Sequence, residues 1–375
     1  MRIGFISSDW ADYNVGSPGG CTWIRCESVA HYLNTIGHEA ACGEVGWKDG
    51  EGFVVVPTNF RLSWRSKSPI KNPPISFDKL DVVIIKLFMW HKAKELIEEA
   101  RSLGQVVIID VDDWFMGLPV TNIAFETTHP NKDPEWNRDH MHTSYSAADA
   151  LIHSTEFLAE NYGKLNSNNY IVRNAIAPDL FLKRYDNAGW KPTIGWVGIM
   201  LWRQHDVEKL KGILGPFLDE HDLMFYHAGM LMDRPKQFAE LTKMDPERLI
   251  EVTGTNVHNY GNILLHMDIG LVPLDMIPFN EAKSSLKGVE YAMSGIPFIA
   301  NATKEYKILA EEGAGRLVNK PRDWIKHMEY YLDPANRKAD AQKGYDVVME
   351  KYNLSTKVNE WSNTIIEIYK KAKGL

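Results

Sequence analysis

The stretch FNEAKSSLKGVEYAMSGIPFIAN, residues 279 to 301, gathers the side chains most able to do chemistry. Asn280 suits a helix N-cap, Gly295 a C′ position, and Pro297 blocks continuation, so the segment predicts one helix between them. Ala282, Leu286, Val289 and Met293 would form its apolar stripe. Lys283, Lys287 and Glu290 would form a second stripe, about 100° round from the first. A helix N-terminus already carries roughly half a positive charge, so lysines close to it make sense where an anion sits. Lys283 and Lys287 can meet phosphates, helped by free amides near Ser284 and Ser285. Glu290, one turn on, can accept from two hydroxyls of a sugar such as ribose. A phosphate with a ribose attached is a nucleotide.

Other candidates follow strands. Arg203 lies in a turn after IGWVG, where its planar guanidinium matches a diphosphate. Thr253, Gly254 and Thr255 make a small-residue wall that could pass a flat base. Gly19 and Gly20 precede a helix carrying Arg25, so the backbone there can come close to a ligand. That pattern is not G-x-G-x-x-G and lacks the acidic ribose partner, which excludes a nicotinamide dinucleotide fingerprint.

IIDVDDW sets Asp110, Asp112 and Asp113 at a strand's carboxyl end. They could act as a general base, bind hydroxyls, hold a metal, or simply cap a helix. In NFRLSWRSKSPIKNPP, Arg61, Arg65, Lys67 and Lys71 interleave with Trp64. Such a patch can hold phosphates while stacking on a ring, and it equally suits a solvated loop. Between Trp114 and Tyr145 the chain reads as one long irregular segment, a lid or acceptor wall. Its His129, His140 and His142 lack matching Cys or Asp spacing and read as surface histidines rather than a metal site.

The elements that position these groups alternate short apolar runs with amphipathic segments, the pattern of an α/β protein with parallel sheets. Strands are expected at RIGFIS, EAACGEV, FVVVP, DVVIIK, VVIIDV, ALIHS and YIVRN, then at TIGWVG, DLMFYHAG, IEVTGT, DIGLVPL and PFIAN. The break between the two series predicts a first domain over 1–175 and a second over 176–354, with a closing amphipathic helix at 355–375. Two such domains bind ligands at the carboxyl ends of their strands, in the cleft between them.

With 375 residues, both domains can bury full cores. A net charge of −7 argues against a surface coated for nucleic acid, though not against a local basic patch. Three cysteines predict no disulfide framework and a reduced, cytoplasmic setting. Neither a secretion leader nor an apolar run long enough to span a membrane is expected.

The chain resembles the glycosyltransferases of GT-B fold, with two Rossmann-like domains facing a central cleft, and among them glycosyltransferase family 4. The resemblance rests on GG…R…L…GHE after the first strand, HSTEFLAENYGK…YIVRNAI at the domain junction, and DIGLVPLD…FNEAKSSLKGVEYAMSGIPFIAN. It implies that Gly19 and Gly20 sit by a donor's phosphates, that Arg203 with Lys283 or Lys287 holds its diphosphate, and that Glu290 holds its ribose. The final helix would pack back on the first domain. The family's usual pair of glutamates is incomplete here: its first position falls on Ala282, with Glu281 one place off, and KSSLK replaces a glycine-rich stretch.

The expected function is transfer of a sugar from a nucleoside diphosphate, a UDP-sugar favoured, to an acceptor hydroxyl. No metal or other cofactor is expected, because side-chain cations would stabilise the leaving diphosphate. Retention of configuration follows from the resemblance; an inverting enzyme would need Asp112 or Asp113 as base. Arg61, Trp64 and Arg65 are the candidate acceptor contacts. The acceptor could be DNA with hydroxymethylated bases, of the kind some phages make, or a glycan or lipid. A sugar-nucleotide epimerase of the same fold and a non-catalytic nucleotide- or glycan-binding module are the alternatives.

Overall fold

The computed structural model describes residues 1–7, 20–44, 47–48, 52–53, 61–62, 75–86, 93–132, 134–184, 191–200, 203–257 and 259–375. Two six-stranded parallel sheets organise it. The first contains β1 (Arg2–Ser7), β2 (Glu39–Glu44), β3 (Val82–Lys86), β4 (Val106–Val111), β5 (Ala150–His153) and β6 (Asn169–Ile171), in the order β6-β5-β4-β3-β1-β2. The second contains β7 (Ile194–Val197), β8 (Phe225–Met230), β9 (Leu249–Thr253), β10 (Ile269–Val272), β11 (Phe298–Asn301) and β12 (Arg316–Val318), in the order β9-β8-β7-β10-β11-β12. Four helices matter most for the site. They are α1 (Gly20–Thr22, running on through a π-helical turn at Trp23–Glu27 into Ser28–Thr35), α2 (Ala93–Ser102), α3 (Leu286–Met293) and α4 (Leu354–Lys373).

Central strands of a parallel sheet are covered on both faces, which is why VVIIK and VVIIDV each open with four consecutive apolar residues. Successive side chains alternate sides. Val83, Ile85, Val107 and Ile109 pack with Leu96 and Ile97 of α2. Val82, Ile84, Val106 and Ile108 share the opposite core with Val29 and Leu33 of α1 and with Val358, Trp361 and Ile365 of α4. The last helix of the chain therefore lies on the first sheet, and Trp361 meets Phe5 edge-on with ring centroids 6.2 Å apart. Asn353 caps α4 by accepting from the Ser355 amide.

The structure departs from the expected elements in four places. Strand β12 was not foreseen, because three residues, two half-buried and one buried, carry almost no pattern. Of FVVVP, only Phe53 is described, in a two-residue strand antiparallel to Trp47–Lys48. The Trp114–Tyr145 segment is largely helical, with turns at Phe115–Gly117, Phe125–Thr128 and Pro134–Asp139 leading into His140–Ala147. His129 is buried there rather than on the surface: the Phe125 turn lays its ring against the imidazole, centroids 4.6 Å apart, and the Asn131 amide donates to its Nδ1.

The fourth departure concerns the helix expected from Asn280 to Gly295. A short turn, Pro278–Glu281, comes first, the chain then breaks, and α3 begins after Ser285. Asn280 is no cap, for its amide donates to Asp206 at 2.6 Å and to the Asp275 carbonyl at 2.9 Å. Ala282 is pulled into the core of the first half, and its carbonyl accepts from the Thr155 hydroxyl at 3.0 Å instead of extending a helical ladder. The C-terminal expectation holds: Gly295 adopts φ +68° and α3 ends there.

Candidate functional site

At the carboxyl end of the first sheet the three aspartates separate into different roles. Asp110 is fully buried beneath the fully buried Arg25, whose π-helical turn aims both Nε and Nη2 at the carboxylate. Arg25 Nη1 also donates to the Val172 carbonyl at 2.7 Å and to Asn174 at 3.1 Å, and the guanidinium lies over Trp361. This pair is a structural strut. Asp112 accepts from the buried Lys86 ammonium at 3.0 Å. Burial would raise the Asp112 carboxyl, but Lys86 and Lys283 outweigh it and hold the group below its usual range. A carboxylate so held is a poor proton acceptor, so of the roles open to it the electrostatic one fits better than general base.

Asp113 reaches across to the other half of the chain and forms an ion pair with Lys283, both about one-fifth exposed. The Lys283 ammonium also lies over the Phe279 ring, 4.4 Å from its centroid. Beside this pair, Asn174 donates to Ser284 at 2.8 Å, which continues the chain Asp110–Arg25–Asn174 into the turn ahead of α3. Phe115 and Leu118 pack on Phe279 in a small apolar cluster that flanks the ion pair.

Arg203 is anchored from the second half. Its Nη1 donates to Asp206 at 3.3 Å and to Asn280 at 3.5 Å, leaving the guanidinium about 30% exposed. Asp206 is buried and also accepts from the Asp275 amide at 2.8 Å, so it fixes the turn that carries Arg203. Further along α3, Glu290 Oε2 accepts from Tyr260 at 2.7 Å and from Lys287 at 3.0 Å, and Lys287 also donates to the Tyr260 hydroxyl at 2.6 Å. Arg203 and Glu290 both act electrostatically on the buried Tyr306, whose hydroxyl accepts from the Gly288 amide. Arg203, Lys287, Glu290 and the first turns of α3 thus share one neighbourhood.

Thr253, Gly254 and Thr255 are exposed at the carboxyl end of edge strand β9. They continue a row of small residues across the sheet, Gly198 after β7 and Gly229 within β8. Gly229 has φ +113°, and a Cβ on it would meet the Gly198 carbonyl oxygen at 2.4 Å. Only glycine permits that approach.

Lys283, Ser284, Ser285, Lys287, Glu290, Asp112, Asp113 and Arg203 therefore lie close to the junction of the two halves, although Lys283 and Ser284 precede α3 instead of riding on it. Gly20 opens α1 and is exposed. Gly19, Trp64 and Arg65 lie outside the described residues, as does the side chain of Arg61, whose backbone forms a short strand. Sequence reasoning missed Lys86, Tyr260 and Gly229. Lys86 could have been found, since a lysine closing a buried strand needs a partner. Tyr260 could not, because it meets Glu290 only through the fold.

No protein-family model matches the sequence, and no curated protein does. Solved structures do match its fold. Sucrose-phosphate synthase (tll1590) from Thermosynechococcus elongatus superposes with a TM-score of 0.65 at 13% identity, over 99% of this chain and 100% of that one. Anabaena Alr3699/HepE in complex with UDP gives 0.64 at 12% identity, over 98% and 100%. A putative UDP-N-acetylglucosamine 2-epimerase from Listeria monocytogenes gives 0.54 at 12% identity, over 99% and 97%. At these identities the likeness establishes the fold: two Rossmann-like domains in the GT-B arrangement.

Proposed function

We propose that this protein is a glycosyltransferase that moves a sugar from a nucleoside diphosphate, UDP favoured, to an acceptor hydroxyl between its two domains (1–175 with the closing helix, and 176–354). The observation that carries this is the grouping of Arg203, Lys283, Lys287 and Glu290 around the start of α3, the charges a diphosphate and a ribose require. That a structural neighbour was solved with UDP supports the choice of base.

In transfer, the bond from the sugar's anomeric carbon to the diphosphate oxygen breaks, and a bond to the acceptor oxygen forms. Charge develops on the leaving diphosphate, where Arg203, Lys283, Lys287 and the α3 amides stabilise it; such preorganised donors are worth roughly 3–4 kcal/mol each. These cations do the work a metal would otherwise do. The acceptor proton must go to some oxygen. Asp112 and Asp113 are both committed to ammonium groups, so the leaving phosphate is the better acceptor, which favours retention of configuration. Gly19, Gly20 and the Thr253–Gly254–Thr255 wall would complete the donor site.

The acceptor would meet the first domain, with Arg61, Trp64 and Arg65 as contacts, and would be DNA with hydroxymethylated bases or a glycan or lipid. Salt titration of acceptor binding separates these, because DNA gives a steep slope. A cytoplasmic location is proposed from the sequence, whose three cysteines suit no disulfide framework; among the described residues no helix is long and apolar enough to cross a membrane. The donor site is tested by a thermal-shift screen with UDP, GDP, ADP, CDP and dTDP. One diphosphate should raise the melting temperature, and Glu290→Ala should abolish the shift; no shift with any of them overturns the reading. Because one neighbour is a putative epimerase, products should also be analysed without acceptor: turnover there would favour epimerisation.

A further inference from the structure

We propose that Tyr260 sets selectivity for the sugar ring of the nucleotide: by occupying Oε2 of Glu290 it leaves Oε1 to accept from a ribose hydroxyl, so the protein prefers ribonucleotides to their deoxy forms. This rests on the nucleotide reading above and adds to it a residue that lies outside α3.

The geometry is a closed triangle. Lys287 donates to Tyr260 at 2.6 Å and to Glu290 Oε2 at 3.0 Å, while Tyr260 donates to the same Oε2 at 2.7 Å. A phenol has one proton, and here it is spent on the carboxylate; the phenol's own acceptor site is taken by the ammonium. Oε1 accepts from no donor among the described residues, although Glu290 is only 7% exposed. A nearly buried carboxylate with one oxygen doubly occupied and the other vacant is aimed, and what it is aimed to receive is a hydroxyl or amide donor. The Tyr260 ring is itself held. Phe181 meets it edge-on at 6.3 Å, and the Lys287 ammonium lies 5.2 Å from its centroid.

Removing only the phenol oxygen leaves Lys287 and Glu290 paired, but Oε2 then keeps one donor, on a flexible side chain, and the carboxylate is less firmly oriented. A site built to hydrogen-bond a hydroxyl rejects the ligand lacking it, and loses that discrimination when its acceptor is no longer aimed.

The test is calorimetric titration of the full chain with UDP, 2′-deoxy-UDP and 3′-deoxy-UDP, or with the same series on whichever base the thermal-shift screen selects. The wild type should bind the ribonucleotide at least about tenfold tighter than one or both deoxy forms. Tyr260→Phe should weaken the ribonucleotide to within about threefold of the deoxy forms, whose own affinity stays put. Lys287→Met tests the opposite corner: it should weaken all three ligands, through the phosphate, and keep the preference. Equal weakening of every ligand by Tyr260→Phe would mean a packing role and overturn the proposal, as would a wild type indifferent to the hydroxyls. A wild type that binds none of the diphosphates overturns the nucleotide reading itself, and the proposal with it.

Discussion

Lys283, in the turn ahead of α3, is ion-paired with Asp113, two residues beyond β4 of the first sheet. One carboxylate thereby holds the cation that the sequence assigns to a phosphate, and it does so from the opposite half of the molecule. A diphosphate arriving there would compete with Asp113 for Lys283.

Lys283→Ala should lower transfer by about a hundredfold or more, the scale for losing one preorganised charge at a developing anion. The fold should lose less than the rate does, because both side chains keep about one-fifth of their surface in water, where a freed Asp113 can still be hydrated. Asp113→Asn should tighten diphosphate binding by releasing the lysine. Initial rates and UDP titrations check both; wild-type rates from Lys283→Ala would remove it from the site.

Arg25→Ala should behave in the opposite way, with its main effect on stability. Arg25 is 1% exposed and bridges Asp110, Val172 and Asn174, so its loss strands a buried carboxylate at a cost of about 3–5 kcal/mol. Urea denaturation should show the midpoint fall, and Asp110→Asn in the same chain should recover part of it. An unchanged midpoint would mean that the strut carries no load.

His153 predicts a pH dependence. It is fully buried, neither ring nitrogen has a hydrogen-bond partner among the described residues, and burial, reinforced by Arg25, pulls its pKa from 6.5 down to about 3. Below pH 6.5 the unfolded imidazole takes a proton that the folded one refuses, so the stability is complete above 6.5 and declines toward pH 3. At pH 5 the loss from this one group is about 2 kcal/mol. Melting curves between pH 7.5 and 5 should show a flatter dependence for His153→Phe, whose ring can still stack on Tyr162. Parallel curves would show that His153 does not titrate as described.

Gly229→Ala should cost at least about 1–3 kcal/mol, because the new methyl meets the Gly198 carbonyl and the residue is held at positive φ. If the glycine row passes a base, nucleotide binding should weaken more than stability alone explains. Paired thermal melts and UDP titrations separate the two effects.

Much of the architecture was legible because it rests on local physics. Short runs such as VVII, bounded by turns, suit strands buried on both faces, and a glycine at 295 suits the end of a helix. The short strand β12 escaped because three residues are too few to carry a period. The helical turns of the 115–145 region escaped for a related reason: they are short, and two of them are not α-helical.

By itself, the sequence determined which groups are present, that they follow strands, and that cations cluster with Glu290 near one helix start. Tertiary structure decided their partners. It gave Asn280 to Asp206 and Ala282 to the other core, so that Lys283 left the helix it was expected to share with Lys287 and turned to Asp113. It sorted three adjacent aspartates into a strut, a lysine-held charge and a bridge between halves. The reason is one of range. Helix and strand preferences act over a few residues, whereas a buried charge takes whichever opposite charge the fold brings within reach, however distant in the chain.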